Sequence, residues 1–320
     1  MALPESLRGK LRIPLIGAPM FIVSGPELVI AQCQAGIVGS FPALNARPQA
    51  ALGEWIARIK DALGEYSSAN PDQPVAPFAV NQIVHASNPP LLQDMETCVK
   101  HEVPIIITSL RPPEDVVKAV HSYGGLVFHD VINLRHARKA ISQGVDGIIA
   151  VCTGAGGHAG PMSPFALVKE IRKEFDGAVI LSGAITNGGD VLAAQAMGAD
   201  LAYSGTRFIA SEEANAVPAY KEMIVDSAAD DIIYSSLFTG VHGNYLKGSI
   251  ANAGLDPDKL PQGSKDDMDF AKATESDAKA WKDIWGAGQG VGSIDAILPA
   301  REIVLDIERE YRQTLATLAG

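Results

Sequence analysis

Eight short apolar runs recur along the chain, each ending in small or polar residues. They are Leu15–Met20, Gly36–Phe41, Phe78–Ile83, Ile105–Leu110, Leu126–Val131, Gly147–Cys152, Ala178–Ala184 and Leu201–Phe208. Runs of this length between turn residues read as buried strands. Segments with helical spacing of apolar residues lie between them, at Pro26–Ala35, Pro48–Tyr66, Pro89–His101, Pro113–Tyr123, Leu134–Gln143, Pro164–Phe175 and Gly188–Met197. Five of these begin at a proline, which a first helical turn tolerates because that N–H has no intrahelical partner. Repeating β-α eight times predicts an α/β fold, a (β/α)8 TIM barrel, whose catalytic groups sit at the carboxyl ends of the strands.

The regular spacing breaks after the eighth run. Between Ile209 and Pro299 come a helical segment at Val217–Ala228, then Gly240–Gly248, an acidic polar stretch around Gln262–Lys279, and Gly286–Gly292. Ala300–Ala316 is amphipathic and would pack as the last barrel helix. The expected organisation is therefore a barrel domain of residues 1–208 and 300–320, with residues 209–299 inserted after strand eight as a substrate-side lid over the mouth. A surface elaboration that only protects the barrel is the alternative. Gly286–Gly292 follows no strand and reads as a flexible lid segment.

Composition narrows the class. With 47% hydrophobic and 20% charged residues, the chain is an ordinary globular protein,. A net charge of -11 and no basic stripe argue against a nucleic-acid partner, since such binding draws on clustered Lys and Arg,. No apolar run approaches the roughly 20 residues that span a bilayer, and the first residues lack the apolar stretch of a signal peptide, so no membrane is expected and the cytoplasm is the default location. Cys33, Cys98 and Cys152 are odd in number and far apart, which suits a reducing compartment,. No CxxC or HxxxH spacing offers a metal site. A homodimer is expected by base rate alone.

The candidate chemistry lies at the strand ends. Ser182-Gly183-Ala184 closes strand seven and Gly205-Thr206 closes strand eight. Glycine there makes a tight turn in any protein, but on these two strands small residues and hydroxyls together favour a phosphorylated ligand. After strand six comes Gly154-Ala155-Gly156-Gly157-His158-Ala159-Gly160, where few large neighbours shield the imidazole. A histidine at a barrel mouth can take or give a proton near neutral pH, so His158 is the candidate catalytic group. His85, His101, His121 and His136 sit on expected loops or helices with solvated or capping roles, and His129 and His242 are held in reserve. The same loop half-matches a dinucleotide fingerprint, but Pro161 delays the helix that must begin inside the glycines. Gly17-Ala18-Pro19-Met20 ends strand one and leaves room for a flat ligand, while Asn81 offers an amide to its edge.

Taken together, the segments GAPM at Gly17–Met20, Asn81, AGGHAG at Ala155–Gly160, SGAI at Ser182–Ile185 and GTRF at Gly205–Phe208 resemble the FMN-dependent nitronate monooxygenase family. The resemblance runs from about Leu15 to Phe208, with weaker likeness near Trp285–Gly290. It implies FMN as cofactor, with Ala18, Pro19, Met20 and Asn81 at the ring, and Gly157, Ser182, Gly183, Ala184, Gly205 and Thr206 on the phosphate side. It also implies His158 as the catalytic base. Two positions depart from the family pattern. Asp130 follows His129 where some flavin barrels carry a lysine, so either Asp130 points elsewhere or the flavin's redox tuning differs. Ala184 replaces a second glycine of the strand-seven turn. The stretch Thr239–Ile250 has no counterpart in the pattern, and its His242, Asn244, Tyr245 and Lys247 are candidates to contact the substrate.

The activity this implies is oxidative denitrification of alkyl nitronates, and of nitroalkanes if His158 removes the alpha proton, with O2 as co-substrate. An NAD(P)H-dependent FMN quinone reductase or an enoyl-thioester reductase on the same barrel is the alternative. A nucleotide dehydrogenase of the IMP-dehydrogenase type would need Cys152 as nucleophile, and its place at the end of an apolar strand reads as a buried, inert thiol. A flavin store or sensor has no need of the loop histidine.

Overall fold

The computed structural model describes residues 2–84, 88, 90–111, 113–261 and 283–320. His85, Pro89 and the acidic stretch Gln262–Lys279 lie outside the described residues. Up to residue 204 the strands are β1 (Leu15–Gly17), β2 (Gly39–Pro42), β3 (Phe78–Val84), β4 (Ile105–Leu110), β5 (Leu126–Val131), β6 (Gly147–Val151), β7 (Gly157–His158), β8 (Ala178–Ser182) and β9 (Leu201–Ser204). All except β7 form one eight-stranded parallel sheet in the order β1-β9-β8-β6-β5-β4-β3-β2. Its ends meet at Val38, whose N–H donates to the Leu15 carbonyl at 3.2 Å and whose carbonyl accepts from Gly17 at 2.8 Å. The sheet is a TIM barrel.

Between the strands run α1 (Pro26–Gln34), α2 (Ala51–Ala69), α3 (Leu91–Lys100), α4 (Glu114–His121), α5 (Leu134–Ile141), α6 (Pro164–Arg172) and α7 (Gly188–Ala196). Pro26 and Pro164 stand in the first turn of α1 and α6 as expected. α2 begins later than predicted, because Ala51 and Leu52 first close short turns onto Pro48 and Gln49. α3 and α4 likewise start after their prolines, with Pro90 and Pro113 as the residues before the first turn.

Successive side chains of a strand point to opposite faces, so each strand feeds two cores. Ile16, Ala79, Ile105, Ile107, Phe128, Ile149, Ile180 and Leu201 fill the barrel interior. Leu15, Val80, Ile106, Val127, Ile148 and Val179 pack outward against helix residues such as Leu28, Ile56, Val117, Leu167 and Val191. Continuing the inward rows by two residues brings Asn81, Ser109, Asp130 and Tyr203 to the carboxyl ends.

Two strand ends differ from expectation. β1 stops at Gly17, so Ala18–Met20 leave the ladder as a loop held by Ala18 N to Ser204 O at 2.8 Å and by Met20 N to Ser24 Oγ at 3.0 Å. β9 stops at Ser204, and the chain turns at Gly205 into the short helix α8 (Thr206–Ile209). Residues 209–299 then supply α9 (Pro218–Asp226), β10 (Ile232–Ser235), β11 (Gly243–Leu246) and α10 (Lys247–Asn252), before α11 (Ala300–Ala319) returns to the barrel wall. β10 pairs antiparallel with β11, and β11 pairs antiparallel with β7, setting Gly243 opposite His158. The cap sheet is therefore built from both the inserted segment and the loop after β6.

The segment Gly286–Gly292 is tied down rather than flexible. Ala287 N donates to Asn244 O, Gln289 N to Gly154 O and Gly288 N to Thr206 Oγ1, at 3.2, 2.9 and 2.9 Å. Glycine is required there by close approach, since a Cβ on Gly288 would stand 2.5 Å from the Gly154 carbonyl,. Among the described residues no helix is long and apolar enough to cross a membrane.

Candidate active site

A cavity of about 490 Å³ opens at the carboxyl ends of the barrel strands. Ala18, Pro19, Met20, Asn81, Gly157, His158, Ser182, Gly183, Ala184, Gly205 and Thr206 all line it. Residues from the first and the last barrel strand thus share one wall. The turns after β8 and β9 present little side chain. Gly183 has φ +147°, and a Cβ on it would sit 2.8 Å from the Thr153 carbonyl. Ala184 occupies the left-handed region at φ +53°, where a Cβ is unfavourable by about 1 kcal/mol. Ile22 and Leu110, at φ +66° and +77°, line the same cavity. Strained backbone in a cavity wall is kept only where surrounding structure enforces it, as at binding sites.

His158 stands in β7, facing the inserted segment. Its Nε2 lies 2.8 Å from Thr239 Oγ1, and that hydroxyl donates to the Val241 carbonyl at 3.1 Å. Burial pushes this imidazole down from 6.5 to about 4, which keeps it neutral near pH 7,.

The floor of the cavity is polar. Asn81 Nδ2 donates to Ile107 O at 3.3 Å and to Ser109 Oγ at 3.1 Å, and Ser109 Oγ donates to Asp130 Oδ2 at 2.7 Å. Asp130 therefore points into the cavity and not elsewhere. His129, the next residue back, is buried on the opposite face, with Nδ1 2.8 Å from Thr108 Oγ1. The apolar side of the mouth includes Tyr220 and Trp285, stacked at 4.9 Å between ring centroids and 15° between planes.

The four residues expected to touch substrate do not line the cavity, and Lys247 opens α10. Asn244 is buried in β11, donating to the Ala155 carbonyl at 2.6 Å. Tyr245 is the largest side chain of a small core with Ile250 and Ile284. The His242 ring packs on Tyr234 at 4.9 Å. Their neighbours Thr239 and Val241 line it instead. The strand alternation that buries Asn244 and Tyr245 was hidden because Gly240–Gly248 does not read as a strand. His136, given a solvated or capping role from sequence, also lines the cavity, as do Ser109 and Tyr203. Cys152 belongs to the outer core, and burial pushes its thiol up to about 12, which leaves it inert,.

A family model described as nitronate monooxygenase matches residues 6–310 of the chain. A nitronate monooxygenase of Paraburkholderia phytofirmans is 28% identical over 95% of this chain and 94% of its own length. The Mycobacterium tuberculosis protein Rv1533, named as a monooxygenase, is 30% identical over 71% of this chain, which spans 64% of that relative. Among solved structures, nitroalkane oxidase from Streptomyces ansochromogenes matches with TM-score 0.78 at 23% identity, covering 98% of this chain and 100% of that one. FabK from Thermotoga maritima matches with TM-score 0.73 at 25% identity, covering 97% and 96%. The barrel, its cavity at the strand ends and a family match over nearly the full length agree, and this chain belongs to the nitronate monooxygenase family of flavin-dependent oxidoreductases.

Proposed function

We propose that this chain binds FMN across its strand ends and converts alkyl nitronates, with O2, to a carbonyl compound and nitrite. The observation that carries this reading is convergence: the loop after β1, Asn81, the turns after β8 and β9, and His158 line one cavity. The small residues and glycine turns in its lining suit a flat, phosphorylated group. Ala18, Pro19 and Met20 give a low wall for a ring, and the buried Asp130 Oδ1 has no protein partner among the described residues. Gly157, Ser182, Gly183, Ala184, Gly205 and Thr206 would hold the phosphate, by backbone N–H groups and hydroxyls rather than by cations. FMN, when bound, supplies the electron acceptor.

The protein's own part is positioning and proton control. Neutral His158, held by Thr239, is a weak base in the cavity wall. A base near pKa 4 is poorly matched to a weak carbon acid, so the preformed nitronate is the better substrate and the neutral nitroalkane the poorer one. Tyr220, Trp285 and Val241 would exclude water from the reacting carbon,. We place the protein in the cytoplasm, on its three free, buried cysteines,.

The likeness to FabK favours one further reading, an NAD(P)H-dependent reductase on the same barrel. Anaerobic stopped-flow absorbance of the FMN-loaded protein, mixed separately with a nitronate, NADH and NADPH, separates the two. Bleaching of the flavin by nitronate is the expected result. Fast bleaching by a nicotinamide with no response to nitronate would replace the proposal with the reductase.

A further inference from the structure

The polar groups on the cavity floor form a one-way series. Asn81 donates to Ser109 and Ser109 donates to Asp130 Oδ2, so the series ends at the carboxyl group. The other oxygen, Oδ1, is shielded from solvent and has no hydrogen-bond partner among the described residues.

Desolvation, with one opposing bond from Ser109, sets the balance at that carboxyl. Among the described lining residues there is no Lys or Arg, and the other titratable groups are His136 of α5, His158 of β7, Tyr203 of β9 and Tyr220 of α9. Burial keeps His158 neutral, and Tyr203 is raised well above its usual range by burial and by the neighbouring carboxyl. His129 lies on the far face of β5 and is likewise held neutral by burial. Burial raises the Asp130 carboxyl itself from 3.8 to about 6, against the opposing bond from Ser109. A ligand covering the floor removes the remaining water, and a carboxylate left there would be a buried charge with one oxygen unsatisfied. Protonation removes the charge and turns Oδ1 from an acceptor into a donor.

We propose that Asp130 receives FMN as a neutral carboxylic acid, so that FMN binding takes up a proton. This rests on the FMN reading above. The sign follows from linkage. In the free protein Asp130 is ionised above about pH 6, so at higher pH the proton must come from solvent and FMN affinity falls about tenfold per pH unit. Below that pH the group is already neutral and adds no dependence. The substitution Asp130→Asn mimics the neutral acid, while the ionisation of the FMN phosphate is common to both proteins.

The test is the Kd of FMN for wild-type apoprotein and for Asp130→Asn, from quenching of flavin fluorescence between about pH 5.5 and about pH 8.5. The ratio of wild-type to variant Kd is expected near one at the acid end and to rise about tenfold per unit above pH 6. A ratio constant with pH overturns the inference and leaves FMN binding intact. Failure of wild type to bind FMN at any pH removes both. If Asp130→Asn does not fold, the infrared difference spectrum of wild type, FMN-loaded minus FMN-free, at about pH 8 decides. A neutral-carboxyl carbonyl band that moves on isotope labelling of aspartate is expected, and its absence overturns the proposal.

Discussion

At the scale of single residues, His158 is defined by what holds it. Thr239 fixes Nε2 and burial lowers the basicity of the ring, so its contribution depends on whether the substrate arrives with its proton. His158→Asn is expected to lower kcat/KM for a neutral nitroalkane by about 10²–10⁴-fold, the range for loss of a general base, and to leave that for the preformed nitronate within about tenfold. Steady-state assays on both forms of one compound check this, and equal losses would remove the base role. The loop that carries His158 was legible in sequence because a cluster of glycines after a strand is a local signal. Asp130 was visible only as a departure from the family pattern. Its direction followed from the inward row that starts at Phe128, and its unsatisfied oxygen from neighbours on other strands. Thr239 gave no signal, since a threonine in an irregular stretch has no periodicity to place it.

At the scale of elements, α11 joins the outer ring of helices by packing closely against α7. Gly188 opens α7, and a Cβ there would overlap the backbone of Tyr311 and Ile307. Its N–H also donates to Glu310 Oε2 at 2.9 Å. Gly188→Ala is therefore expected to destabilise the protein by about 2–3 kcal/mol through overpacking, measured by urea unfolding, with unchanged stability showing that α11 shifts freely. The order and type of the barrel elements could be read from periodicity, because strand and helix patterns differ locally. Their ends were less legible. Proline only permits a helix start, so at Pro48 neighbouring turns decided where the helix began, and Pro113 became the residue before the first turn. The cap sheet escaped the sequence because β11 borrows its partner from β7, a two-residue strand with no pattern of its own.

At the scale of the whole molecule, buried ionisable groups couple the barrel to pH. His129 is buried, and desolvation lowers it from 6.5 to about 4. The unfolded chain takes up that proton as pH falls below 6.5 while the folded one resists until about 4, so stability is lost across this window. The loss from His129 alone is about 3 kcal/mol. Asp130 acts in the opposite sense, losing stability as pH rises from 3.8 to about 6. Thermal unfolding of wild type is expected to show a falling midpoint from about pH 6.5 to about pH 4. His129→Gln, which cannot take up the proton, should have a shallower slope, and identical slopes would mean that His129 titrates in the native state.

By itself the sequence determined the parallel barrel, the strand ends where chemistry belongs and the loop that presents His158. These follow from local rules: side-chain periodicity, glycine turns and the fixed direction of strands in a (β/α)8 barrel. Only the tertiary structure decided the contacts that give those residues their properties. Thr239 meets His158 across 81 positions and Gly288 meets Thr206 across 82. Both depend on how the segment after β9 folds back over the mouth, and packing between distant loops leaves no periodic trace in the chain.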